Sequence, residues 1–347
     1  MPDLIIQNYD KTKEEILIGY DKGSFYENWQ KNQTWEIGFD ISKNSKNLLS
    51  FDLVEYESRV LYNNQIFVIK KMTRNASGDA ISKNVTATHI YYTLQDYYQY
   101  NTVSGVRSIS ALLDHIFSAG KNGFSYKIVD PNNKFRTVEQ ENFGNGNYLK
   151  LIEEILSDYK AVVIPDNYTL YFYPESEYGN KIEEQIRYKF NTDSVTFDID
   201  TYSLKTQIKG YGKLKEGVDS NNIKDSDYVF TPIIYTSPES KKWGIRVQDP
   251  VSDERYTVPA NMLERLKADL QDYPSITGSV SLKWKINPNK GDYVPFIYEP
   301  LNINTYIQVV GIKTYPDIPN KAPEITLSNT KKTMTSILAS IVKKGVK

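Results

Sequence analysis

Hydrophobic and polar positions alternate with a period of two along most of the first hundred residues. Trp35, Ile37, Phe39 and Ile41 alternate with Glu36, Gly38 and Asp40, which predicts a half-buried strand. Arg59–Tyr62 and Ile66–Met72 flank Asn63-Asn64-Gln65, a hairpin turn in which asparagine tolerates positive φ. Val85–Tyr92 alternates again, after turn residues Asn75–Asp79.

The period then changes. Ile109, Leu112, Leu113, Ile116 and Phe117 follow helical spacing, with Ser108 placed to cap the start and Gly120 to end it. A strand is expected at Phe124–Val129. A second helix is expected from Tyr148 to Tyr159, with a stripe of Tyr148, Leu151, Ile152, Ile155 and Tyr159 and with Asn147 as its cap. Ala161–Ile164 and Thr169–Tyr173 form a hairpin pattern around Pro165-Asp166-Asn167. Gly144-Asn145-Gly146-Asn147 lacks the lysine and the glycine spacing of a phosphate-binding loop and is expected to be a turn into the helix cap.

The remainder returns to strand patterns. Leu204–Tyr211, Gly278–Ile286 (Val280, Leu282, Trp284 and Ile286 on one face), Tyr306–Lys313 and Glu324–Leu327 are expected strands, and Lys213–Asp227 a polar loop. A third helix is expected over about Val258–Gln271, capped by Thr257, with Pro259 in its first turn. A last, amphipathic helix over 333–343 carries Met334, Ile337, Leu338, Ile341 and Val342 in line.

Composition narrows the function classes. The 347 residues, 39% hydrophobic and 24% charged, describe a folded chain of two or three domains. No stretch of about 18 apolar residues predicts a membrane span, and Met1–Asp10 lacks the pattern of a secretory leader. The net charge of -1 offers no global attraction for nucleic acid. The absence of cysteine excludes disulfides, thiolate catalysis and cysteine-ligated metals. The 28 tyrosines fit strands and contact surfaces, since each presents an apolar ring and a polar tip.

Several runs, in order, resemble one family. They are Trp35-Glu36-Ile37-Gly38-Phe39, Ile66–Lys70, Val85–Ile90 with Leu94, and Thr206–Gly212. Further on they are Tyr235–Glu239, Trp243–Arg246, Asp253–Thr257, Asp292, Val309–Ile312 with Tyr315-Pro316, and Thr326–Asn329. The chain resembles, over nearly its whole length, the prophage endopeptidase tail, or tail-associated lysin, proteins of phages of Gram-positive bacteria. The resemblance implies an α+β, predominantly β fold like a phage baseplate hub, with two β-barrel-like domains and α/β insertions. The expected units are 1–100 (first β-domain), 101–203 (α/β domain) and 204–347 (second β-domain, with a helical insertion around 235–276). It further implies a homotrimer closing the tail tube, with the distal tail protein and the tape-measure and tube proteins as partners and genomic DNA passing through in transit. The lytic extension of other family members is expected to be absent.

The candidate chemistry is sparse. His89 and His115 are the only histidines and fit no metal-binding spacing; no metal or cofactor is expected. No Gly-x-Ser-x-Gly elbow is present. Glu153-Glu154, Glu183-Glu184 and Asp253-Glu254 could in principle serve a two-carboxylate wall hydrolase. Each also has a plain structural reading: helix face, polar lead-in to a strand, and an ion-pairing corner near a helix start. Tyr91, Tyr92, Tyr97, Tyr98 and Tyr100 could form a sugar-stacking platform or a packing cluster. The reading favoured is a non-enzymatic hub, with a cell-wall hydrolase and a carbohydrate-binding tail module as alternatives. His89, Tyr91, Tyr92, Tyr306, Gln308 and Val310 are the candidate subunit contacts.

Overall fold

The computed structural model describes residues 3–218, 223–283, 286, 288–301 and 303–328. The helix expected at 333–343 and Trp284 lie outside the described residues.

The first lobe is an antiparallel run. Its strands follow the order Tyr26–Gln30, Thr34–Ser42, Ala80–His89, Gln65–Ser77, Arg59–Tyr62, Ile5–Gln7 and Glu14–Ile16. The Arg59–Tyr62 hairpin closes through Asn63 and Asn64, at φ 50° and 61°, with Tyr62 opposite Gln65. Two consecutive positive φ values give the turn that matches strand twist. Alternation works as the sequence predicts: Trp35, Ile37, Phe39 and Ile41 all enter the lobe's core with Phe67, Ile69 and Val85. Each such side chain contributes about 1.5–3 kcal/mol when fully buried.

The last strands form a second lobe with its own core around Phe296, Val294, Ile307 and Val309. The two lobes are not separate sheets. Ile303–Thr314 pairs with Tyr26–Gln30, Gly311 opposite Gln30, so one path of hydrogen bonding runs from Ser194–Asp200 through Ser275–Ser281, Glu324–Ser328 and Ile303–Thr314 into the first lobe.

Between them sits an α/β lobe. Ser125–Ile128 runs parallel to Thr169–Pro174, which pairs antiparallel with Ala161–Asp166. Helices Ile109–Ser118 and Tyr148–Asp158 cover this sheet. Both caps are the expected ones: Ser108 Oγ accepts from Ala111 N–H and Asn147 Oδ1 from Lys150 N–H. The Gly144–Asn147 segment is not a turn. It is the bulged end of strand Val138–Asn147, paired with Tyr98–Arg107. A side chain at Gly144, where φ is 131°, would collide with the Asn101 carbonyl.

A fourth, small lobe hangs from the end of a ribbon. Ser194–Asp200 and Ser275–Ser281 pair with Asp200 opposite Ser275, and the chain between them folds separately. Gln207–Tyr211, expected to belong to the second β-domain, instead pairs with Ile233–Thr236 and Val251–Ser252. Helix Pro259–Asp269 packs Met262 and Leu266 on that sheet beside Ile208 and Leu270. Val258 stands at the N-cap of this helix and makes no side-chain cap; Thr257 lies one residue too early to cap it.

Candidate functional site

The proposed contact residues separate into an inner and an outer group. His89 ends its strand at 0% exposure, its ring stacked on Trp35 at 4.4 Å and 4°. Nδ1 accepts from Tyr91 N–H, so the proton lies on Nε2, 3.0 Å from Gln65 Oε1. Burial, with the charge of Lys290 adding to it, pulls the His89 pKa down to about 3. Tyr91 is buried in the α/β core, and Gln308 is buried with Oε1 accepting from Lys31 Nζ and Nε2 donating to the Tyr178 carbonyl. These three face inward, and their surface role is corrected on that ground. Alternation locates a face and does not say which face meets solvent. Tyr92 and Val310 are half-buried, Tyr92 between two cores. Tyr306 is exposed, with Lys181 Nζ 5.0 Å above its ring.

The tyrosine cluster does not form one platform. Tyr97 turns toward Tyr148, and only Tyr98 and Tyr100 are exposed, their centroids 4.6 Å apart. Tyr98 Oη donates to the Asn145 carbonyl. His115 lies on its helix with Nε2 2.9 Å from the Asn101 carbonyl, in surroundings separate from those of His89. Among the described residues no group of three His, Asp or Glu side chains could hold a metal.

Of the carboxylates, Glu153 and Glu154 face outward on the second helix, Glu154 pushed upward chiefly by burial. Asp253 carries the expected ion pair, and its reach is longer than expected. Arg255 donates twice to Asp253 Oδ2 and once to Oδ1, donates to the Glu139 carbonyl at 2.9 Å, and lies 3.7 Å from Asp158. The residue thus ties the small lobe to the α/β lobe. Beside it runs a cleft of about 620 Å³ lined by Arg136, Glu139, Asp158, Arg255, Asn261 and Arg265. A neighbouring cleft shares Arg136, Val138, Asp158 and Lys160 with it. The arrangement is a meeting of lobes held by charge.

The chain is similar to known tail proteins. The model of the prophage endopeptidase tail N-terminal domain matches residues 4–89, that of the prophage endopeptidase tail domain matches 96–172, and that of the prophage endopeptidase tail matches 180–338. The chain is 51% identical to the prophage tail protein gp18 from Listeria monocytogenes EGD-e, over 98% of both chains, with a TM-score of 0.74. The chain belongs to the prophage endopeptidase tail family. Its fold is shared at 10% identity with the prophage MuSo2 43 kDa tail protein from Shewanella oneidensis (TM-score 0.62, 95% of this chain and 98% of that one). It is shared equally with a tail protein from Neisseria meningitidis MC58 (10% identity, TM-score 0.62, 94% and 96%). No curated protein matches the chain. The family ranges leave residues 90–95 and 173–179 between them.

One cluster had no sequence signal. Lys290 lies in the turn before strand Tyr293–Tyr298, with Nζ 3.0 Å from the Trp35 ring centroid and 5.6 Å from that of Trp29. Trp35 therefore stands between Lys290 and His89, and its Nε1 donates to Glu27 at 2.8 Å. The side chains come from opposite ends of the sequence, so no local spacing brings them together.

Proposed function

We propose that this chain is a structural subunit of a phage tail tip, three copies of which form the hub that closes the tail tube. The observation that carries the reading is identity over the whole length to a prophage tail protein, together with a fold shared with two tail proteins at 10% identity. A closed ring of one chain needs heterologous contacts that return on themselves. Two β-lobes per chain would offer six similar units from three copies to a sixfold tube. Distal tail, tape-measure and tube proteins would be its neighbours in the virion, after synthesis in the host cytoplasm. Tyr306, exposed on the second lobe, and the half-buried Tyr92 and Val310 are the contact residues retained from the sequence reading. DNA would pass through the ring without holding to it, since each phosphate neutralised by lysine or arginine adds affinity; the balanced charge suits that.

The reading makes the chain non-enzymatic: Asp253 is engaged by Arg255, and Glu153 and Glu154 lie on an exposed helix face. The test is cryo-electron microscopy of tail tips assembled with this chain. Threefold density at the tube end is expected, and a symmetry incompatible with three copies overturns the hub. Release of peptides or reducing sugars from Gram-positive walls by the purified chain, lost on Glu153→Gln or Asp253→Asn, would overturn the non-enzymatic part.

A further inference from the structure

The two clefts that share Arg136 and Lys160 form one trough where the lobes meet. The second cleft, of about 630 Å³, has Lys31 of the first lobe, Lys134, Arg136 and Lys160 of the α/β lobe and Tyr293 of the second β-lobe in its walls. Its acids are already engaged. Glu175 lies 2.7 Å from Lys31 Nζ, and Asp158 accepts from the Gln140 amide at 3.0 Å and faces Arg255 at 3.7 Å. In the adjoining cleft Asp269 pairs with Arg265 and Glu264 with Lys267. Lys134, Arg136 and Lys160 are exposed, and none of them has an ion pair among the described residues. Glu139 is the one acid of the trough in the same state. Three unpaired cations thus stand against one unpaired acid.

The cations sit on fixed backbone. Asp130 accepts from Lys134 N–H at 2.7 Å and from Phe135 N–H at 2.9 Å. Lys160, at φ 50°, donates its N–H to the Ser157 carbonyl and accepts from Glu175 N–H. Phe135 packs against the α/β core while its two neighbours stay exposed. Lys134 and Arg136 therefore leave the chain on one side, about 7 Å apart at the rise of an extended segment.

We propose that this trough is a docking site for an extended segment of another polypeptide, with carboxylates at every second position and apolar side chains between them. Acids two residues apart on an extended chain repeat at the same ~7 Å and meet Lys134 and Arg136 in step. Lys160 takes a third. The side chains between them point the other way, toward Tyr273 and Tyr293, which reach the trough from outside the α/β lobe. A nucleic acid fits less well. It is charged at every residue and sets phosphates against Asp158 and Glu175, positions that a polypeptide passes with uncharged side chains.

The experiment is fluorescence anisotropy of the full chain with a fluorescein-labelled nonapeptide, aspartate at each odd position and leucine or serine at each even one. Saturable binding is expected, weakening as sodium chloride rises from about 0.05 to 0.5 M and the Debye length shortens. Arg136→Gln should weaken it ~3-fold and Arg136→Glu ~10-fold, the scale of a surface ion pair lost and then reversed. Lys22→Glu, exposed and outside both clefts, should leave it unchanged. Carbodiimide coupling of the bound peptide to the unsubstituted chain should fall on Lys134 and Lys160 ahead of Lys22 and Lys241, and so reads the site without any substitution. A peptide of the same composition with its acids gathered at one end should bind at least ~3-fold more weakly. Equal binding of the two peptides, coupling spread evenly over exposed lysines, or no saturable binding up to about 1 mM overturns the proposal. Tighter binding of an oligothymidylate of the same length overturns it in favour of nucleic acid. None of these results bears on the symmetry of the assembled tip.

Discussion

Replacing Arg255 by alanine tests whether the small lobe is tied to the α/β lobe by one side chain. The guanidinium, 17% exposed, leaves two carboxylates behind: Asp253 at 10% and Asp158 at 22%. Stranding a fully buried partner costs about 3–5 kcal/mol, while an exposed pair is worth about 0–1. Asp253 keeps Arg265 at 3.9 Å and Asp158 keeps the Gln140 amide at 3.0 Å, so the loss lies between these limits. A loss of about 2 kcal/mol follows, of which about 1 belongs to the contacts that cross between lobes. Urea unfolding reads the total. Hydrogen exchange reads its location: amides in Gln207–Tyr211 and Pro259–Asp269 should exchange faster, while those of Ile37–Ile41 stay unchanged. A cycle with Asp158→Asn should give a coupling of about 0.5–1 kcal/mol. A variant within about 0.5 kcal/mol of wild type, with exchange in the small lobe unaltered, would refute the tie.

Three further outcomes can be checked. Lys290 has a folded pKa below its unfolded one, so its burial penalty is complete below about 7 and is relieved as pH rises from there to 10.5; Lys290→Met should flatten that part of the stability curve and stabilise the chain at pH 6, as read by urea midpoints. His89 stays neutral when folded and is protonated when unfolded, so its contribution is lost as pH falls from 6.5 toward about 3; His89→Gln should lessen the acid sensitivity seen by tryptophan fluorescence, and an unchanged acid profile would count against it. Gly291→Ala would place a methyl group inside the Tyr178 ring at a φ of 87°; a loss of about 2–4 kcal/mol is expected, and a calorimetric midpoint equal to wild type would show that the turn yields.

What the sequence revealed follows the range of each interaction. Ser108 and Asn147 cap helices three residues away, and Asn63-Asn64 closes a hairpin of adjacent strands, so local chemistry suffices for them. The pairing of Gly311 with Gln30 leaves no local trace, and with it went the single sheet that joins the lobes. His89 shows the same limit on a smaller scale. Its alternating strand was legible, but its stacking on Trp35 was not, and a residue expected to face another subunit lies inside its own. Gly144–Asn147 misled because glycine and asparagine mark bulges as readily as turns. Family resemblance supplied the assembly context that composition could not.

The bond between strand Tyr26–Gln30 and strand Ile303–Thr314 also sets a timetable for synthesis. The two partners lie roughly 280 residues apart, so at ~5–20 residues per second the ribosome leaves the earlier one waiting about 15–55 s. Through that interval one side of Tyr26–Gln30 presents unpaired amides and carbonyls, a template for any neighbouring nascent chain. The sheet that joins the lobes therefore closes only once Ile303–Thr314 has been made, and the yield of folded chain depends on what shields that edge in the meantime.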